Sequence, residues 1–231
     1  MRTLKVLIDG LAFPEGPRWH DGKFYFSDMH AHQVIAADMA GKREVVCEVP
    51  GRPSGLGWLP DGRMLVVSMT DRKLMRLDRD GLKTVTARIV ANEMMFPNGA
   101  VITPDGKTLV VGESFGRRLT AFDIGADGSL TNRRVWAELG NGIPDGICLD
   151  AENAIWVACP TASEVIRVKQ GGEVAERIKV ETDAFACMLG GPDGRMLFVA
   201  TAPGSDPEKC RADRRGRIET THVEVPRAGL P

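Results

Sequence analysis

The chain has no apolar run long enough to span a membrane, almost no net charge, no closely paired cysteines and little helical periodicity. Each lack excludes something. A membrane-crossing helix needs about 20 consecutive apolar residues, and none is present. Met1 to Gly10 carries Arg2 and Lys5 but not the apolar core of a signal peptide, so the expected location is the cytoplasm. A formal net charge of −1, with Lys and Arg spread along the chain, speaks against a nucleic-acid partner. The one basic cluster, Arg211 to Arg217, reads as a solvated turn. The five cysteines (Cys47, Cys148, Cys159, Cys187 and Cys210) are odd in number and never spaced as CxxC. Three of them sit beside apolar residues and read as small core side chains, and a reducing compartment is expected. Short runs rich in Val, Ile, Leu and Phe alternate with Gly, Pro and Asp turns at intervals of roughly 8–12 residues, the pattern of an all-β protein.

What the sequence does have is repetition. Pro14-Glu15-Gly16, Pro53-Ser54-Gly55, Pro97-Asn98-Gly99 and Pro144-Asp145-Gly146 begin 39, 44 and 47 residues apart. Each precedes a turn (Asp21-Gly22, Asp61-Gly62, Asp105-Gly106 and the weaker Glu152-Asn153) and then an apolar run. A fifth copy is degraded at Phe185-Ala186-Cys187 but keeps Pro192-Asp193-Gly194. This period is that of a four-stranded propeller blade, so the expected fold is an all-β propeller of five repeats in a single domain over residues 1–231. In the second repeat Gly55 to Leu59 is expected innermost, followed by Met64 to Ser68 and Lys73 to Asp78. The terminal stretch, Gly216 to Val225, alternates as a strand should and is expected to pair with the N-terminal segment and close the ring.

If the repeats are related by rotation, the variable residue of each tripeptide faces one axis. Glu15, Asn98 and Asp145 then offer two carboxylates and an amide oxygen. That set suits one hard divalent cation, Ca²⁺ first, with Mn²⁺, Mg²⁺ or Zn²⁺ also open. Three protein ligands leave coordination positions for water or substrate. One such residue could merely decorate a turn; three in the same slot of three repeats is a stronger pattern. Asp145 is the candidate catalytic base, and Ser54 and Arg52 are candidate substrate contacts. Gly112-Glu113-Ser114-Phe115-Gly116 matches the GxSxG nucleophile elbow, yet that elbow joins a strand to a helix and here Arg118 to Asp123 reads as another strand. Asp28-Met29-His30-Ala31-His32 looks like a metal-binding run but is read as a solvated loop on the outer part of its repeat, with His30 at most lining the mouth. Trp19 and Trp58 are read as core rather than as sugar platforms.

Phe13-Pro14-Glu15-Gly16-Pro17, Phe96-Pro97-Asn98-Gly99 and the run Ile143 to Asp150, with Met188 to Gly194, resemble the gluconolactonase/regucalcin (senescence marker protein) family over nearly the whole chain. The resemblance implies a six-bladed propeller, one divalent metal held by the residues matching Glu15, Asn98 and Asp145, and hydrolysis of small sugar lactones. Departures are equally plain. Leu82 to Ala87 runs straight into Arg88 to Phe96, where family members carry a further blade that supplies an Asn near the metal and an Arg on the substrate. Five repeats either close into a complete ring, the favoured expectation, or keep six-blade curvature with a gap. The leading functional reading is a metal-dependent lactonase. A propeller that binds cation without turnover and a protein-interaction scaffold are the alternatives.

Overall fold

The computed structural model describes residues 2–229. Its strands form five antiparallel sheets of four. Blade 1 comprises β2 (Pro14–His20), β3 (Lys23–Asp28), β4 (Gln33–Ala37) and β5 (Arg43–Glu48). Blade 2 comprises β6 (Pro53–Trp58), β7 (Met64–Ser68), β8 (Lys73–Asp78) and β9 (Gly81–Val85). Blade 3 comprises β10 (Pro97–Ile102), β11 (Thr108–Glu113), β12 (Arg118–Ile124) and β13 (Leu130–Glu138). Blade 4 comprises β14 (Ile147–Leu149), β15 (Ile155–Cys159), β16 (Glu164–Val168) and β17 (Val174–Lys179). Blade 5 comprises β18 (Asp183–Gly190), β19 (Met196–Ala202) and β20 (Gly216–His222), completed on its outer edge by β1 (Lys5–Leu11). The expected pairing of the two chain ends is therefore present, with Lys5 opposite Thr220 and Leu11 opposite Gly216.

The tripeptides shape the inner strands. Register slips between Glu15 and Arg18, between Pro53 and Leu56, and between Pro97 and Ala100. Proline withdraws a donor and glycine relaxes the backbone, so a bulge forms where each strand leaves the channel mouth. Gly16 has φ of +54°, a conformation that costs a residue with a Cβ.

The ring does not close as expected. A Cβ added at Gly99 would stand 2.5 Å from the Ile147 nitrogen, and one at Gly146 would stand 2.5 Å from the Ala186 Cβ. At Gly16 it would fall on the Ser54 carbonyl oxygen. Each of these glycines lets the next blade press against its own backbone. Gly55 meets only Val67 of its own blade, at 3.6 Å, and nothing from blade 3. The apolar clusters agree: one joins blades 1 and 2, another joins blades 3 and 4, a third joins blades 4, 5 and 1, and none bridges blades 2 and 3. Five blades thus keep an open junction between the second and third. Residues 86–96 form a strap there, outside any strand.

That strap lies on blade 3. Arg133 donates to the carbonyls of Asn92 and Glu93, and the buried Glu113 accepts from the Met95 N–H and from Thr120. Beneath it Phe122 is buried, with the Arg133 guanidinium 5.9 Å from its ring centre. In the strand registers Leu109, Val111, Glu113, Thr120 and Phe122 share one face, whereas Val110, Leu119 and Ala121 pack toward blade 4.

One correction concerns the region around Arg211. It begins in a helix, α1 (Pro207–Asp213), not a turn. Asp206 caps it by accepting from the Lys209 N–H, Pro207 opens its first turn and Cys210 faces the core.

Candidate active site at the channel mouth

Glu15 stands in β2, Asn98 in β10, and Asp145 just before β14. All three line one cavity of about 830 Å³ at the channel mouth, together with Arg52 and Ser54. The Asn98 amide acts to lower the Asp145 pKa, and the negative charge of Glu15 acts to raise it. The variable residues of four repeats, Glu15, Ser54, Asn98 and Asp145, thus line the same cavity, with Arg52 beside them.

The backbone around Asp145 is fixed on two sides. Its N–H donates to the Ala158 carbonyl at 2.9 Å, and its carbonyl accepts from Gly99 at 3.1 Å. Gly146 N–H donates to Phe185 across the next junction. The Asp145 side chain is thereby held at the mouth while its Oδ1 is buried without a hydrogen-bond partner. Burial, with repulsion from Glu15 second, raises the Asp145 pKa well above the carboxylate range, and the Asn98 amide opposes it. Burial also pushes Glu15 up to about 7, against the Gly16 N–H and the Arg18 charge. A divalent cation would compensate both carboxylates and satisfy the orphaned oxygen. The donors present fit such an ion. Among the described residues no group of three or more His, Cys, Asp or Glu side chains gathers as a metal centre, so the arrangement is two carboxylates and an amide.

Sequence reasoning missed Arg18. In a regular strand, residues three apart point to opposite faces. The bulge between Glu15 and Arg18 reverses that parity and brings both to the cavity. Arg18 Nε donates to the Leu56 carbonyl at 3.0 Å, tying blade 1 to blade 2. Burial lowers its pKa to about 10, which leaves it cationic near neutral pH. The Gly16-Pro17 pair was the available signal, since both residues mark bulges in strands.

His30 also needs correction. It is buried in a short 3-10 turn, Met29–Ala31, and lines the cavity instead of a solvated outer loop. Antiparallel pairing returns the end of β3 to the start of β2, with Asp28 opposite Pro14. Asp28 accepts from the N–H groups of Ala12 and Phe13 and so fixes the approach to Glu15. His30 stacks on Phe13, its Nε2 lies 3.2 Å from the Ser205 carbonyl, and its Nδ1 has no partner.

The nucleophile-elbow match is not an elbow. Ser114 sits in a turn between two strands, buried, with its hydroxyl donating to the Pro144 carbonyl at 2.7 Å. Trp19 packs on Phe198, and Trp58 stacks on His20 at 4.1 Å. Trp58 lines a separate crevice of about 980 Å³ between the outer parts of blades 1 and 2, remote from the carboxylates. Among the described residues, no helix is long and apolar enough to cross a membrane.

Comparison with known proteins bears on the fold and the family. The Xenopus laevis regucalcin is 36 % identical over 128 residues, which is 52 % of this chain and 43 % of that protein. The human regucalcin is 34 % identical over 117 residues, 48 % of this chain and 39 % of its own length. The matches thus span about two fifths of the curated relatives. A calcium-binding regucalcin structure from Agrobacterium tumefaciens superposes with a TM-score of 0.76 at 17 % identity, covering 100 % of this chain and 97 % of that one. A gluconolactonase structure from Xanthomonas campestris gives 0.76 at 20 % identity, covering 99 % and 89 %. At such identities these two likenesses concern the fold. The family model described as the SMP-30/gluconolactonase/LRE-like region matches residues 13–88 and again residues 69–203. The two stretches overlap on residues 69–88, which hold the outer hairpin of blade 2. Together they take in all five inner strands and every residue of the carboxylate–amide set, and on that match the chain belongs to the SMP-30/gluconolactonase/LRE-like family.

Proposed function

We propose that the chain is a metal-dependent lactonase whose site is Glu15, Asn98 and Asp145. The observation that carries this reading is the convergence of two carboxylates and an amide on one cavity, with Asp145 Oδ1 buried and unpartnered. Glu15, Asn98 and Asp145 would hold one divalent cation, for which all-oxygen donors favour Ca²⁺. When bound, such an ion supplies Lewis-acid polarisation of a carbonyl and a lowered water pKa.

The chain's own groups do the rest. Asp145 takes the proton from the attacking water as its oxygen bonds to the lactone carbonyl carbon. The ring C–O bond then breaks, and the same proton passes to the departing alkoxide, which leaves an open hydroxy acid. Arg18 keeps positive charge beside Glu15 and favours its ionised form. Asn98 orients the Asp145 carboxylate. Arg52 and Ser54 face the cavity from blade 2 and contact the substrate. The start of blade 5 contributes Phe185, an apolar wall packed edge-on against Phe13 at 4.7 Å.

A propeller that binds cation without turnover is the second reading, favoured by the open junction, which removes part of the pocket wall. One experiment separates the two. Chelator-stripped protein is reloaded with Ca²⁺, Zn²⁺ or Mn²⁺, and hydrolysis of D-glucono-1,5-lactone is followed by pH-stat beside Asp145→Ala. The lactonase reading expects a metal-restored rate that Asp145→Ala abolishes. Ca²⁺ at a hundredfold excess over Kd should also stabilise the wild type by about 2.7 kcal/mol, and Asp145→Ala should lose that gain. Stabilisation without any rate would leave the binding protein; neither would sink both.

A further inference from the structure

We propose that the open junction between blades 2 and 3 is a side entrance to the site, and that it selects lactones bearing an apolar arm. The inference deepens the lactonase reading and rests on it for the position of the reacting ring.

The wall on the blade 3 side is unusual. Phe96 immediately precedes Pro97-Asn98 and lines the cavity. It holds φ of +59°, a conformation that bulky side chains rarely adopt. Its ring is 55 % exposed and lies 4.7 Å from that of Phe115, itself 67 % exposed. The strap and the β11–β12 turn are bound together at this point. Ser114 N–H donates to the Phe96 carbonyl and Phe115 N–H to the Met95 carbonyl. The aromatic pair is thus set on a braced piece of backbone, beside a cation ligand. Exposed large apolar side chains grouped at a site mark binding surface more than scattered ones do.

The wall on the blade 2 side is apolar as well. Val67 and Met69 line the same cavity, and Met69 is 41 % exposed. A Cβ added at Gly55 would meet no blade 3 atom within 4 Å, unlike those at Gly16, Gly99 and Gly146, which would clash with the next blade, so the two walls do not close on each other at the inner strand. The strap leaves this space clear because Glu113 and Arg133 bind it to blade 3. Continuity decides the occupant. Phe96 and Met69 belong to the slot and also to the cavity that holds Asp145, so whatever fills the slot extends from the reacting centre. A ring carrying an unbranched alkyl or aryl substituent meets both conditions. A polyhydroxylated ring alone would leave the aromatic pair uncovered and find few hydroxyl partners along these walls.

The test separates the slot from the chemistry. Titration calorimetry on Ca²⁺-loaded protein would compare 5-hydroxypentanoate, 5-hydroxyoctanoate and 5-hydroxydecanoate, the ring-opened forms of δ-lactones with growing arms. Half-open walls should give about a twofold tighter Kd per methylene, or about thirtyfold across the series. Phe115→Ser and Met69→Ser, both at exposed positions, should flatten that slope. The ratio of kcat/KM for δ-decalactone over δ-valerolactone should fall with it. A flat series in a protein that does hydrolyse δ-valerolactone would overturn the slot and leave the lactonase reading intact. A steep series that both variants flatten, in a protein without turnover, would support the slot and sink the chemistry. No binding of any acid, with no Ca²⁺-linked rise in melting temperature, would overturn both.

Discussion

Blades 4 and 5 and the facing sides of blades 2 and 3 are built from the same repeat and end in opposite states. In blade 4 every residue of β14, β15 and β16 is buried, and β18 in blade 5 is buried along nearly its whole length. Trp156, Ile155, Leu189 and Leu197 lie there, each with essentially no exposed surface. Blade 2 alternates between buried and half-buried residues, and β10 in blade 3 begins with two exposed ones. The difference is one of neighbours. A blade with a partner on both faces buries both sides of its strands; blade 2 alternates, and blade 3 buries its junction face at β11 and β12, where the strap covers it, but not at the start of β10. The lesson is that the tripeptide builds the inner bend of a blade by itself, whereas the glycine's lack of a side chain is needed only where another blade arrives.

The sharpest way to break that comparison is to add the same methyl group on each side of it. Gly146→Ala places a Cβ 2.5 Å from the Ala186 Cβ and 2.6 Å from its Cα, so backbone must move. Overpacking of this kind should cost about 3 kcal/mol. Gly55→Ala meets nothing nearer than 3.6 Å, and it restricts the unfolded chain. It should be neutral or stabilising by about 0.5 kcal/mol. Urea unfolding of the two variants gives the comparison directly. Equal losses at both positions would mean that the second junction is packed like the others.

A smaller effect is expected from the clamp that dresses the open face. Burial alone would raise the Glu113 pKa. The Met95 N–H, the Thr120 hydroxyl and Arg118 outweigh it and hold the carboxylate at about 2. A carboxyl whose folded pKa lies below its unfolded value stabilises above the unfolded value, near 4.5, and loses that contribution as pH falls toward 2. With half-exposed arginines as partners the contribution is about 2 kcal/mol at neutral pH. Glu113→Gln should therefore be less stable than wild type by that amount at pH 7 and indistinguishable from it near pH 2. Hydrogen exchange should show the loosening in residues 86–96. A stability gap independent of pH would mean that Glu113 acts through shape, not charge.

The blades were legible because turns and apolar runs recur at a fixed period, and the strand bounds at Met64–Ser68 and Lys73–Asp78 fall where alternation places them. The meeting of Glu15, Ser54, Asn98 and Asp145 at one cavity was legible because one slot of the repeat kept oxygen-bearing residues. Three things were not. The Arg18 direction depends on a bulge, which shifts parity without changing composition. The place of His30 depends on where an antiparallel strand returns, a matter of pairing and not of local sequence. Ring closure depends on curvature summed over five junctions, and no single repeat encodes it. Gly55 reads the same as Gly16, Gly99 and Gly146 in sequence, and only its neighbours differ.

The smallest effect concerns Ser114, which ties the closed side of blade 3 to blade 4. Its buried hydroxyl donates to the Pro144 carbonyl, one residue before Asp145. Removing a buried hydrogen bond whose acceptor retains a second lone pair costs about 1 kcal/mol. Ser114→Ala should lose that much stability, because the tie crosses a packed junction and no water replaces the donor. Its effect on lactone hydrolysis should stay below about threefold, since the serine oxygen points into the junction and not at the reacting carbon. Loss of a true nucleophile would lower kcat by several orders of magnitude. A collapse of that size in Ser114→Ala, with stability hardly changed, would move the chemistry from the channel mouth to this turn. The packed geometry argues the reverse: a Cβ added at Gly112 would stand 3.3 Å from the Pro144 Cβ and one at Gly116 3.0 Å from the Glu113 Cβ, so the glycines of the elbow-like motif serve close packing at a junction and at the clamp.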